Sequence, residues 1–165
     1  MRIETATRKE VLECVTDEAD RRFFSDRLRR RALRRGRVYL AFDGSLVVGY
    51  VYLRLEDAEE ADLRDRLPRT PLLQRLRVFP GYRRQGIGRE LVAAAEEGAR
   101  RKRRRSIALG VDEDEAEPIG FYLRIGYREW PHGLVETFKE ERRDDGTWTR
   151  KTEYCRIFVK DLPRA

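Results

Sequence analysis

Arg83-Arg84-Gln85-Gly86-Ile87-Gly88 sets two glycines one residue apart behind three polar residues, and an amphipathic run begins at once. Glycines let a main chain approach a ligand closely, and the free N–H groups of a loop that opens a helix attract anions. The chemistry this spacing offers is the holding of a phosphate. Further on, Phe121-Tyr122 precedes Gly126-Tyr127, and Asp112-Glu113-Asp114 follows an apolar run. Taken alone, Tyr122 reads as a core aromatic and the carboxylates as a solvated acidic turn. Cys14 and Cys155 are too few and too ordinary in spacing for a disulfide framework or a metal site, so no metal is expected. His132, the only histidine, follows Pro131 in a loop, which suits a surface or hydrogen-bonded role better than catalysis.

These residues act only if the chain positions them. Ile3 to Thr5 reads as a short strand, followed by a long helical region carrying Val11, Leu12, Val15, Phe23, Phe24, Leu28 and Leu33 and ended by Gly36. RVYLAF and SLVVGYVYL are β-branched and aromatic runs joined by Asp43-Gly44, a hairpin signal. Residues 56 to 71 form an acidic, then proline-punctuated connection with room for one helical turn. Leu72 to Phe79 alternates as a strand, and Pro80-Gly81 ends it. After the glycines, Ile87, Leu91, Val92, Ala95 and Ala99 recur at helical spacing. SIALGV is a buried strand, and EAEPIGFYLRI a helix with Gly126 at its C-terminal end. Strands around Leu134 to Glu141 and Thr149 to Val159, joined by Asp144-Asp145-Gly146, close the chain. The glycine loop thus follows a strand and opens a helix, the context in which it can cradle an anion.

At 165 residues, with 40% apolar residues in strong patterns, the expectation is one domain spanning 1–165 with a sizeable core. The charge balance, 37 basic against 30 acidic residues, permits nucleic acid, an anionic membrane surface or a phosphorylated small molecule as partner. The run Arg100 to Arg105 lies at the end of a helix, where the dipole favours cations. No aromatic residue interleaves with it, as stacking on single strands requires, which argues against nucleic acid. A solvated helix end and support for a cofactor phosphate are the other readings. MRIETATRKE lacks an apolar signal region, and the longest apolar run, Leu46 to Leu53, is too short to span a bilayer. The expectation is a cytoplasmic protein without a membrane partner.

Two phosphate motifs fail: no Lys-Ser/Thr follows the glycines, and the first glycine of a dinucleotide fingerprint is missing. Arg83-x-x-Gly86-x-Gly88 instead resembles the signature of the GCN5-related N-acetyltransferases (GNAT). LRVFPGYRRQGIGRELV resembles that family's strand, loop and helix for acetyl-coenzyme A, and FYLRIGY its second helix; the specific resemblance runs from about Leu72 to Trp130. It implies an α/β fold with a mixed, mostly antiparallel sheet and helices on both faces. It further implies acetyl transfer from acetyl-CoA to a primary amine by direct attack. In that reading Arg83, Arg84, Gln85, Gly86, Ile87, Gly88 and Arg89 bind the cofactor, with the amides from Arg84 onward on its pyrophosphate. The fourth and fifth strands splay, and main-chain groups of Leu76 and Val78 pair with the pantetheine arm. The Val78 N–H polarises the thioester carbonyl, and Tyr122 serves the departing thiolate. Glu113, within Asp112 to Asp114, is the candidate base. Where the family commonly has Asn and Ala, this sequence has Glu115 and Pro118, so an Asn-type cofactor contact is not reproduced.

The acceptor is expected to be a small molecule bearing an amine, because acidic residues cluster at Glu56 to Asp62 and Asp112 to Glu117. Arg75 and Arg77 share one strand face, available for ion pairing or for an acceptor carboxylate. The expected assembly is a monomer or homodimer. The rival class is a non-catalytic acyl-CoA-binding or RNA-binding module.

Overall fold

The computed structural model describes residues 1–29 and 35–163. Strand β1 (Arg2–Thr5) leads to helices α1 (Arg8–Cys14) and α2 (Glu18–Arg29), then to the hairpin of β2 (Gly36–Asp43) and β3 (Leu46–Arg54). Helix α3 (Ala61–Arg66) precedes β4 (Leu72–Val78), and a 3-10 turn at Pro80–Tyr82 leads to α4 (Ile87–Arg101). Then come β5 (Ser106–Asp112), α5 (Ala116–Arg124), β6 (Arg128–Glu129), β7 (Val135–Arg142) and β8 (Trp148–Asp161).

The expected single helical region is two helices. Thr7 and Glu10 form a reciprocal capping box that starts α1. Val15 is extended, and the Asp17 carboxylate accepts the Asp20 N–H at 3.0 Å, restarting the chain as α2. Gly36, expected to end the helix, instead opens β2, where an added Cβ would collide with the Tyr52 ring. Leu33 and the side chain of Leu28 lie outside the described residues.

The sheet runs β1-β2-β3-β4-β5-β8-β6, with β7 also on β8, and every pairing except β4 with β5 is antiparallel. Alternation sorts its side chains onto two faces. Tyr39, Ala41, Val51 and Leu53 meet Ile87, Leu91, Val92 and Ala95 of α4, with Ile119 and Tyr122 of α5. Val38, Leu40, Tyr50 and Tyr52 meet Val11, Val15 and Phe24 of α1 and α2 on the other face. The architecture is therefore the mixed, mostly antiparallel α/β sheet with helices on both faces.

Helix α5 ends as expected at Gly126 (φ 94°), with Tyr127 N–H bonded to Tyr122 O at 3.1 Å and Gly126 N–H to Leu123 O at 3.2 Å. Helix α4 ends in the same bond pattern, Arg104 N–H to Ala99 O and Arg103 N–H to Arg100 O, but with Arg103 in the left-handed position (φ 57°). That conformation costs a side-chain-bearing residue about 1 kcal/mol. Arg103 is exposed. Arg103→Gly is therefore expected to stabilise the protein by about 1 kcal/mol, or about 2–4 °C in Tm. Thermal unfolding checks this, and an unchanged or lower Tm defeats it.

Candidate active site

The end of β4 and the start of α4 build the first half of the site. Gly86 caps α4 in a left-handed conformation (φ 83°), and Arg84 before it is left-handed too (φ 60°). The N–H groups from Arg84 to Arg89 have no acceptor among the described residues; the first helical bond is Glu90 N–H to Gly86 O at 3.1 Å. Successive unpaired amides at a helix start form a concave, positively polarised nest that fits a phosphate or pyrophosphate. The loop is braced from behind: Arg83 Nε donates to Val78 O at 3.1 Å and Gln85 Nε2 to Gly81 O at 3.3 Å.

The second half is a gap in the sheet. Strand β4 meets β5 at a single register point, Leu72 beside Ala108, where Ala108 N–H donates to Pro71 O at 2.9 Å. Beyond it the strands part around a cavity of about 400 Å³. On its other edge β4 stays paired with β3, but with a bulge: Tyr50 faces Arg77 and Tyr52 faces Gln74, so Arg75 and Leu76 together oppose Val51. Phe79 N–H bonds Val48 O at 2.9 Å, on the β3 side. By alternation, the N–H and C=O of Val78 lie on the opposite edge, facing the gap.

Tyr122 stands at the wall of this cavity, 8% exposed, with its ring edge-on to Phe121 and Tyr127. Its hydroxyl has no hydrogen-bond partner among the described residues. Burial pushes its pKa well above the ordinary phenol value, so it stays protonated. Gln74 Oε1 is buried without a donor among the described residues, and Gln74 lines the same cavity, offering another polar atom to a ligand. Nothing in the sequence around Gln74 signals this position.

The expected site residues divide. Leu76 and Tyr122 line the cavity. Val78 and the loop from Arg83 to Arg89 lie beyond its rim, where an ideal Cβ on Gly88 would come 3.7 Å from Val78 Cγ2 and 3.5 Å from Phe121 Cζ. Glu113 is exposed, donates its N–H to Tyr154 O at 3.2 Å and does not line the cavity. Its neighbour Asp112 does, as do Glu115 and Pro118 of the α5 start. Glu60 joins them from the other acidic cluster. Arg75 and Arg77 are ion-paired, to Asp20 and to Asp17 and Asp20 respectively.

The basic run Arg100 to Arg105 serves neither half. Helix α4 has 15 residues, which sets the run about 22 Å from the amide nest. Arg100 and Arg101 pair with Glu97, and Arg104 donates to the carbonyls of Arg69 and Leu55. His132 lies against Trp130, with Nδ1 3.3 Å from an Arg66 nitrogen, outside the cavity. No helix among the described residues is long and apolar enough to cross a membrane.

Residues 2–127 match the Acetyltransferase (GNAT) family, and the chain belongs to that family. Solved structures share its fold at low identity. A Bacillus subtilis acetyltransferase in complex with CoA is 19% identical with a TM-score of 0.68, covering 98% of this chain and 99% of its own. A ribosomal-protein-alanine N-acetyltransferase from Brucella melitensis is 20% identical, TM-score 0.67, covering 98% and 100%. A GNAT acetyltransferase from Elizabethkingia anophelis with acetyl-CoA bound is 17% identical, TM-score 0.64, covering 98% and 97%.

Proposed function

We propose that this chain transfers an acetyl group from acetyl-CoA to the primary amine of a small cationic molecule by direct attack. The observation that carries the reading is the parting of β4 from β5, with the free amides at one end and the unpartnered Tyr122 hydroxyl in its wall. In this reading the amides from Arg84 to Arg89 hold the pyrophosphate. The gap-facing edge of β4, from Leu76 to Val78, pairs with the thioester arm as a neighbouring strand would. The Val78 N–H stabilises the carbonyl oxygen as charge develops on it. The amine nitrogen bonds to the acetyl carbon and gives up its extra proton to solvent, the carbon–sulfur bond breaks, and the thiolate leaves accepting a hydrogen bond from the Tyr122 hydroxyl.

The amine must first lose a proton. At pH 7 an alkyl amine of pKa about 10.4 is neutral in roughly one molecule per few thousand. Asp112, at the cavity wall, is better placed to take that proton than Glu113, whose side chain stands in solvent past the end of β5. Glu60, Asp112 and Glu115 line the cavity without an ion-pair partner among the described residues, whereas Lys139 there is paired with Glu153 and Arg75 with Asp20. The uncompensated charge is negative and attracts a cationic acceptor.

Thiol release from acetyl-CoA over a panel of cationic amines, neutral amines and peptide N-termini tests this reading. Cationic amines are expected to show kcat/KM about tenfold above matched neutral amines at low salt, an advantage that shrinks as screening sets in near 0.15 M. Asp112→Asn with Glu115→Gln should remove it. Equal rates at low salt, or a preference for neutral peptide N-termini, would take the cationic acceptor away. Absence of thiol release with retained CoA binding would favour a non-catalytic module.

A further inference from the structure

The bulge in β4 decides which main-chain groups face the gap. Before it, Pro71 O reaches β5; after it, Phe79 N–H reaches β3. In an unbroken strand those two odd-numbered residues would present their groups to the same edge. The extra residue at Arg75–Leu76 shifts the alternation, so that Val78 turns its N–H and C=O into the gap.

Arg75 makes that turn in a left-handed conformation (φ 56°), inside a strand and without the freedom of glycine. Helix α2 holds it there. Arg75 Nη1 donates to Asp20 Oδ1 at 3.2 Å, and its guanidinium stacks 4.6 Å from the Phe23 ring centre. Asp20 is only 2% exposed, although a buried carboxylate is costly unless fully matched. Its partners are the Tyr50 hydroxyl at 2.6 Å, Arg75, and Arg77 Nε at 3.2 Å. Tyr50 and Arg77 are the pair on one side of the bulge, so all three donors come from the bulge or its immediate ladder. None of these side chains has a part in the acyl transfer described above.

We propose that Asp20 is a positioning residue for acetyl transfer: through Arg75 it fixes the left-handed turn that aims the Val78 main chain into the gap. This rests on the reading that the gap receives the thioester arm. The physical consequence is specific. A glycine at 75 adopts the turn unaided, so the demand on Asp20 should fall away when Arg75 is replaced by glycine.

The test is a double-mutant cycle of Asp20→Asn and Arg75→Gly in the full chain, read by CoA affinity in calorimetry, kcat with an active amine, and Tm. With Arg75 present, Asp20→Asn is expected to lower kcat about tenfold or more and to weaken CoA binding; with Gly at 75 the same change should shift both by less than about twofold. If Asp20 were mere packing between α2 and β4, its loss would lower Tm and kcat equally in both backgrounds, which overturns the proposal. Should Asp20→Asn alone fail to fold, a folded, active double variant supports the proposal and an unfolded one overturns it. A wild-type chain that neither binds CoA nor releases thiol overturns the acetyl-transfer reading, and this inference with it. An active wild type with no rescue overturns the inference alone.

Discussion

Tyr122→Phe is expected to lower kcat by about 100-fold or more while leaving acetyl-CoA affinity within about twofold, because in the proposed reaction it removes a donor that acts on charge formed in the transition state. The substitution is clean on structural grounds. The ring keeps its edge contacts with Phe121 and Tyr127, and the hydroxyl it loses bonds to no described residue, so no partner is orphaned. Tm should therefore stay near wild type. The raised phenol pKa also sharpens the role. A thiol is a stronger acid than an ordinary phenol, about 8.5 against about 10, and burial widens that difference. In the proposed reaction Tyr122 would thus act as a hydrogen-bond donor to the departing thiolate, with full proton transfer uphill. Its sign with pH follows: the folded-state pKa lies above the free value, so the donor is present throughout the working range. The rate should rise with pH as the amine deprotonates, with no loss assignable to Tyr122. Steady-state kinetics from pH 6 to about 9.5, below an ordinary phenol's titration, read both effects. A Tyr122→Phe enzyme within about twofold of wild type would reduce the residue to packing.

Local signals made much of this site readable from sequence. The strand, glycine loop and helix around residues 72–101 are written in adjacent residues, two-residue alternation giving way at Gly86 to helical spacing. Gly126 marked the end of α5 because the left-handed turn there favours glycine. What stayed hidden depends on residues distant in the chain. The β4 bulge has no signature of its own; it is stabilised by Asp20, 55 residues earlier, and Arg75 gives no hint of a left-handed turn. Whether Asp112 or Glu113 meets the cavity is a one-residue question settled by β8, whose Cys155 pairs with Asp112 and whose Tyr154 takes the Glu113 N–H. Glu60 reaches the same cavity through the path of the chain before α3, which the acidic composition alone does not reveal. The division into α1 and α2, by contrast, was available: Thr7 with Glu10, and Asp17 with the Asp20 amide, are capping pairs at the expected spacing.

Gly88 should separate binding from folding most clearly. Gly86 serves poorly for this, since any side chain at its φ of 83° strains the loop and mixes the two effects. Gly88 has ordinary helical backbone in the first turn of α4. A Cβ there meets Phe121 and Val78 at normal contact distance, 3.5 and 3.7 Å, so alanine fits the protein itself. Alanine also has higher helix propensity, and Gly88→Ala is expected to stabilise the fold by about 0.5–1 kcal/mol. Yet the added carbon stands between Val78 and Phe121, where the amide nest meets the gap, on the route the thioester arm takes in the proposed function. Affinity should thus fall as stability rises. Gly88→Val extends two methyl groups into that passage and is expected to raise the acetyl-CoA Kd by about tenfold or more, a loss of about 1.4 kcal/mol or above. Calorimetry with acetyl-CoA beside thermal unfolding of both variants checks the pair of signs. If Gly88→Val is folded and binds acetyl-CoA as tightly as the wild type, the arm does not run between β4 and α5. The amide nest at the start of α4 would then need another ligand.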